Sequence, residues 1–378
     1  MTSMLSGARR PALALGALLS LLVPPTAAAV AQEVAPGASE PGALARAEAE
    51  TAREARAPVY PRLTGGVAIE LQNDYTFDSD DPTGEINDLY NTTEAALALE
   101  ISAETSLNAT LVFEPIRDPG PNDDRVFEDQ GLYAEELYLR HDFGFLTALA
   151  GKYDPAFGAA WDAAPGLYGA DFAEDYELTE RLGAAFEAPF ALAGGEAVFS
   201  VAVFAADRTF LSGSLVHDRG ELNKSDGGVS NTSAPESVVV SLAGETEGVD
   251  YTIAFRRQAK GVGDAADEYG LVAGVQAPLG EMGVDLLSEV AVFPDFDGTR
   301  DRAIYATLGL AAPLGPVTVS GVYSLRKIEH APTDHLATVS AEYEIADGVS
   351  IGAGYRYGRE GGDDNHTVGA LFVYEFGF

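Results

Sequence analysis

The sequence contains no cysteine in its 378 residues, which removes disulfides, thiolate metal sites and cysteine nucleophiles from consideration. Basic residues are scarce. Lysine and arginine number 23 against 59 aspartates and glutamates, for a formal charge of −36. Such an excess makes nucleic acid or an anionic lipid surface a poor partner, although charge held in loops or a wet interior is compatible with crossing a membrane. The five histidines are His141, His217, His330, His335 and His366. None has metal-ligand spacing, and only His217-Asp218 resembles a catalytic dyad, with no nucleophile placed beside it. No catalytic residue, metal or cofactor is therefore expected. Acidic groups such as Asp78-Ser79-Asp80-Asp81 and Asp363-Asp364 lack the glycine and closing glutamate of a tuned calcium loop. After the N-terminal region no run is long and apolar enough for a transmembrane helix. Mean hydropathy is +0.01, which does not by itself separate an exported globular protein from a barrel.

What is present begins with a leader. Arg9 and Arg10 form a positive region, residues 11–23 a short apolar one, and Ala29-Val30-Ala31 a small-residue cleavage site, so residues 1–31 read as a signal peptide. Loss of Arg9 and Arg10 with it takes the net charge from −36 to −38. Residues 32–61 are rich in Ala, Glu, Arg and Pro and almost without an apolar stripe. They read as a solvated linker, with a short oligomerising helix over 42–56 as the alternative.

From Leu63 onward the period is two. Val67, Ile69 and Leu71 alternate with Ala68, Glu70 and Gln72; Tyr251, Ile253 and Phe255 alternate with Thr252, Ala254 and Arg256. Val319 and Tyr323, then Ile351 and Tyr355, repeat the pattern. One face is apolar with aromatics near its ends, and the other is small, polar or charged, as in a strand with one side in lipid or core and one in water. Connections alternate between short turns, such as Asp347-Gly348, and long acidic loops at 76–91, 118–130, 154–177 and 207–235. A soluble sandwich does not segregate loop lengths this way, whereas a transmembrane barrel does. The expected fold is all-β, an antiparallel transmembrane barrel over residues 62–378. It has about sixteen strands, with fourteen to eighteen in range, short periplasmic turns and long external loops. Its cellular place would be the bacterial outer membrane. A periplasmic sandwich is the competing architecture.

The last segment carries Phe372, Tyr374, Phe376 and Phe378 in alternation. Together with Leu149-Ala150-Gly151-Lys152-Tyr153, and with the stretch from Asp154-Pro155-Ala156-Phe157-Gly158 to Ala173-Glu174-Asp175-Tyr176, it resembles Gram-negative porins, particularly those of alphaproteobacteria. The resemblance covers roughly residues 63–378. It implies passive diffusion of ions and small hydrophilic solutes through a water-filled pore, a homotrimer, contact with outer-membrane lipid and lipopolysaccharide, and recognition of Phe378, Phe376 and Tyr374 by the outer-membrane assembly machinery. It also implies that the third long loop folds inward. Its acids, Asp154, Asp162, Asp171, Glu174, Asp175 and Glu177, would then form a constriction. Across a gap from them, basic side chains Arg140, Lys152, Arg181, Arg256, Arg326 and Arg356 are expected on the wall, each open to pairing with a lumen carboxylate such as Glu136, Glu187, Glu289 or Glu342. The expected channel prefers cations mildly. An outer-membrane enzyme or adhesin working through its external loops is the alternative.

Overall fold

The computed structural model describes residues 58–280 and 283–378. The expected signal peptide lies outside the described residues, as does residues 32–57 of the polar segment. Sixteen long strands follow. The first eight are β1 (Arg62–Ser79), β2 (Asn87–Glu100), β3 (Thr105–Pro115), β4 (Gln130–Asp142), β5 (Thr147–Tyr153), β6 (Arg181–Leu192), β7 (Gly195–Ala206) and β8 (Ser237–Thr246). The rest are β9 (Val249–Gln258), β10 (Glu268–Leu279), β11 (Val284–Asp295), β12 (Ala303–Leu314), β13 (Val317–Ile328), β14 (Thr333–Ala346), β15 (Val349–Glu360) and β16 (Asp363–Gly377). Each pairs antiparallel with its sequence neighbours, and β1 pairs with β16 from Gly66↔Gly377 to Ser79↔Asn365, which closes the sheet and removes its edges. Two short loop segments, Arg125–Val126 and Leu215–Val216, add pairings to β2 and β4.

Turn chemistry sets the short rim. Ala193-Gly194 and Glu247-Gly248 have positive φ at both residues (52° and 87°, 52° and 77°), the type I′ geometry whose twist matches two antiparallel strands. At the opposite rim the long connections are residues 116–129, 154–180 and 207–236. The expected alternation of loop length does not persist to the end. The connections at 329–332 and 361–362, on the long-loop rim, are tight as well, because β13 to β16 extend to meet one another. The loop expected over 76–91 is likewise mostly strand, with β1 running to Ser79 and β2 starting at Asn87.

No described helix is long and apolar enough to cross a membrane, so crossing falls to the strands. Outward positions carry exposed Ile253, Phe255, Leu271, Val290, Leu308, Tyr323, Val339, Ile351 and Tyr355. Near the short rim the same face carries Phe190, Tyr343, Tyr374 and Phe376. Water would not support so continuous a belt, and its partner is lipid. A barrel of this kind belongs in the bacterial outer membrane, where every backbone group is satisfied by a neighbouring strand. Ile253 is 50% exposed while its neighbour Ala254 is buried inside the barrel. Ile253→Arg should therefore reduce folding yield in lipid vesicles by the equivalent of about 2–4 kcal/mol, while Thr252→Arg, facing the lumen, should fold nearly as well as the wild type. Equal yields would mean that the register is one residue out.

The hydrophobic core lies inside the barrel. Inward-facing Val272, Ala291, Phe293, Tyr305 and Leu336 are buried against Phe157, Phe172 and Tyr176 of the loop joining β5 to β6. The expectation of a small, polar or charged inner face is thus corrected: part of the lumen wall is apolar because a loop is packed onto it.

Candidate functional site: the third loop and the aperture it leaves

The loop over residues 154–180 leaves β5, crosses the lumen, follows the wall as far as β1 and returns. Its base is tied by Asp154, whose Oδ1 accepts the Glu180 N–H at 2.6 Å, while its own N–H donates to Glu136 Oε1 at 3.3 Å. A single helical turn, α1 (Ala160–Ala163), comes next. Glu289 of β11 accepts the N–H groups of Ala159 (2.7 Å) and Ala160 (3.2 Å) and the Tyr176 hydroxyl (2.7 Å). Glu289 therefore serves the start of that helical turn, where N–H groups lack partners, and not an arginine as the sequence suggested. Pro165 crosses β12 where a side chain at Gly309 would place its Cβ 2.8 Å from the proline ring. At the tip, fully buried Tyr168 donates to Asp74 Oδ1 of β1 at 2.6 Å. A Cβ on Gly369 of β16 would stand 2.0 Å from that hydroxyl, so only glycine leaves room for the tip.

The return limb is held by charge. Asp171 accepts from Arg356 Nε at 2.7 Å, and Asp175 accepts from Arg326 at 2.8 Å. Glu360 bridges the two guanidiniums, and Asp334 adds a bond to Arg326 at 2.9 Å. Arg256, 2% exposed, donates to Glu268 at 2.8 Å and to the Tyr176 carbonyl, and stacks on Phe157 and Phe293 at 4.3 and 4.8 Å. Opposed charges across a gap were expected. The structure corrects this: the loop leans onto the basic wall, so Arg256, Arg326 and Arg356 are in direct contact with it or its partners.

Lys152 requires a separate correction. In register it lies opposite Leu137 and Leu182, on the outward face where Phe186 is 53% exposed. Its side chain is nevertheless fully buried, because residues of the β7–β8 loop pack over it. Nζ donates to the carbonyls of Ala134 (2.7 Å) and Leu211 (2.9 Å) and to Glu180 (2.8 Å), with Asp207 at 3.3 Å. Arg219 bonds both oxygens of Glu180. The cluster is a tie between the bases of two loops.

What remains open is the side bounded by β2 to β6. Asp162 stands within electrostatic reach of Glu94 on β2, which also faces Glu114 and Glu136. Thr110 and Tyr133 donate to Glu136 and Glu114. Arg140 is on this side and donates to Thr147 Oγ1 at 3.4 Å. Arg181 opens β6 opposite Tyr153 and Ala206. Glu174 starts, and Glu177 follows, the last turn of the loop. Burial pushes the carboxyls of Asp154 and Asp162 above the usual carboxylate range, and Glu135, Glu136 and Glu177 push Asp154 further. Sequence reasoning passed over Glu94 and Glu114 as aperture residues. Their inward parity on β2 and β3 was the available signal.

Elsewhere, His217 Nδ1 contacts the Gln130 carbonyl at 2.9 Å, and the Asp218 carbonyl accepts from Arg117, so the two form no dyad. Among the described residues, exposed Glu329 and His330 come together with half-buried Asp301, their potential ligand atoms within 4.8 Å of one another.

No family model matches the sequence, and no curated protein matches it. Solved structures do. The outer membrane channel DcaP of Acinetobacter baumannii aligns over 83% of this chain and 96% of its own, with TM-score 0.57 and 11% identity. Salmonella typhi OmpF in complex with daunomycin aligns over 84% and 98%, with TM-score 0.58 and 12% identity. An anion-selective porin from Comamonas acidovorans aligns over 83% and 99%, with TM-score 0.51 and 13% identity. At such identities the likeness is one of fold.

Proposed function

We propose that this chain, which has the fold of Gram-negative outer-membrane porins, is a passive channel for ions and small hydrophilic solutes that prefers cations. One observation carries the preference. Arg256, Arg326 and Arg356, on β9, β13 and β15, are each bonded to carboxylates, while on the open side Glu94 stands within electrostatic reach of Asp162, Glu114 and Glu136. Carboxylates lining a water-filled constriction raise the local concentration of cations and depress that of anions. At physiological salt the screening length is about 8 Å, so these residues outweigh the acids of the distant loops. Arg140 opposes them and keeps the preference modest. By the same likeness of fold, the working form is a trimer in contact with lipopolysaccharide, and the strand carrying Tyr374, Phe376 and Phe378 is what the assembly machinery reads.

Reversal potentials in a potassium chloride gradient test the reading. The wild type should favour potassium, and Glu94→Gln with Asp162→Asn should move the potential toward the chloride side. Neutralising Asp171 and Asp175 should do less, since both are already paired. The preference should also weaken on acidification, and do so above the ordinary carboxylate pKa of about 4. A raised pKa means the negative charge is lost earlier as pH falls. Chloride preference at neutral pH and low salt would overturn the proposal.

A further inference from the structure

The wall has a break beside β4. Because β5 ends at Tyr153 to release the third loop, its pairing with β4 stops at Leu137↔Lys152. Farther along β4, Leu215 and Val216 of the β7–β8 loop pair with Leu132 and Gly131 in place of β5. Lys152 stands at this junction and is the one buried lysine among the described residues. Asp207, the residue after β7, meets it there with a side chain only 1% exposed. The Nζ group has three N–H bonds to give. They go to the Ala134 carbonyl (2.7 Å), the Leu211 carbonyl (2.9 Å) and Glu180 Oε2 (2.8 Å). Asp207 is therefore in contact with Nζ, at 3.3 Å, without receiving a hydrogen bond from it. Its Oδ1 accepts the Thr209 N–H at 2.8 Å, while Oδ2 is buried and accepts none. A settled ion pair would not leave that oxygen unsatisfied, since a buried acceptor without a donor costs free energy.

We propose that Lys152 and Asp207 are the reactants of an intramolecular isopeptide bond, with Glu180 carrying the protons. The ammonium first passes a proton to Glu180, which delivers it to Asp207, leaving an amine beside a carboxylic acid. Nζ then attacks Cγ of Asp207. A second Nζ proton follows the same path to the departing oxygen, which leaves as water. One nitrogen–carbon bond forms, one carbon–oxygen bond breaks, and the two opposite charges cancel, so no oxidant or activating group is needed. Burial favours this route. Neither charge is hydrated, so the uncharged pair lies closer to the ion pair in free energy than it does in water. A desolvated lysine is also a nucleophile, and fixed contact replaces a chance encounter. Glu180 is within proton-transfer reach of Nζ and is held there by Arg219, which bonds both its oxygens. With no cysteine in the chain, a disulfide cannot fasten these two loop bases; the amide does so covalently.

Mass spectrometry of the full chain, purified folded from membranes, tests the bond. The folded protein should be lighter by one water molecule than the same chain kept unfolded in urea. Its protease digest should contain one branched peptide joining the segments around Lys152 and Asp207. Lys152→Arg and Asp207→Ala should each keep the full mass and yield no branched peptide. Asp207→Asn should give the wild-type product with ammonia released instead of water, a result that a charge pair alone does not produce. Glu180→Gln should leave most of the chain without the bond, and equal cross-linking in that variant would overturn the part given to Glu180. Heat-modifiable gel migration verifies that each variant is folded. If the variants fail to fold, the wild type decides: full mass and no branched peptide in the folded chain would overturn the proposal. A loss of water that persists in Lys152→Arg would overturn it as well, since the dehydration would then lie elsewhere.

Discussion

Single-channel conductance should rise severalfold when residues 159–170 are replaced by a short glycine-serine bridge, and larger neutral sugars should then enter proteoliposomes. The segment is the part of the third loop that follows the wall from β11 to β1, held at its tip by the Tyr168–Asp74 hydrogen bond. Its removal widens the narrowest section of the pore, which dominates the resistance of a water-filled path. Stability should fall at the same time. Glu289 loses two of its three donors, and a buried acceptor left without partners costs about 1–3 kcal/mol. Phe293 and Tyr305 meanwhile lose part of their cover. Planar-bilayer recording and liposome swelling read the first effect, and the temperature of heat-modified gel migration reads the second. Unchanged conductance in a folded variant would show that the loop is not what narrows the lumen.

The largest single-residue effect on stability is expected from Arg256→Met. The arginine is buried, and so is its partner Glu268, which also accepts from Gln258 at 2.7 Å and from the Asp297 N–H at 2.8 Å. Truncating one member of a buried pair leaves the other's charge without compensation and costs about 3–5 kcal/mol. The loop is affected too, because the Tyr176 carbonyl loses its donor. Adding Glu268→Leu should restore much of the loss, since an apolar pair in place of a buried ion pair is often neutral. Urea unfolding in detergent, comparing the single and double variants, measures both terms. A double variant as weak as the single one would show that the role of Arg256 lies in its stacking on Phe157 and Phe293.

The strands were legible because lipid enforces a strict alternation. Ile253 and Tyr323 needed no tertiary knowledge to be placed outward, and the last strand declared itself through Tyr374 and Phe376. The inner face was harder, since two kinds of residue share it. Phe293, Tyr305 and Leu336 occupy inward positions that a wet lumen would not tolerate. Read with Phe157, Phe172 and Tyr176 in the loop, they were a signal that loop and wall pack together. Which acid meets which base was not legible. Asp171 and Arg356 are 185 residues apart, Asp175 and Arg326 151, and no local pattern encodes such pairs. Lys152 misled for a different reason. Its strand parity already placed it outward, yet porin likeness placed it on the pore wall, and only the neighbouring loop folded over it explains how a buried lysine is tolerated there.

The tip of the third loop has a consequence for time as well as for bore. Tyr168 sits where β1 meets β16, touching Asp74 on the first strand and the space beside Gly369 on the last. That position does not exist until the two ends of the sheet have come together, and contacts joining segments so distant in sequence form late because loop closure must precede them. On this argument the loop tip docks only once the barrel has closed. Before the seam shuts, there is a curved sheet with an unanchored loop; afterwards, the same loop holds the seam from within.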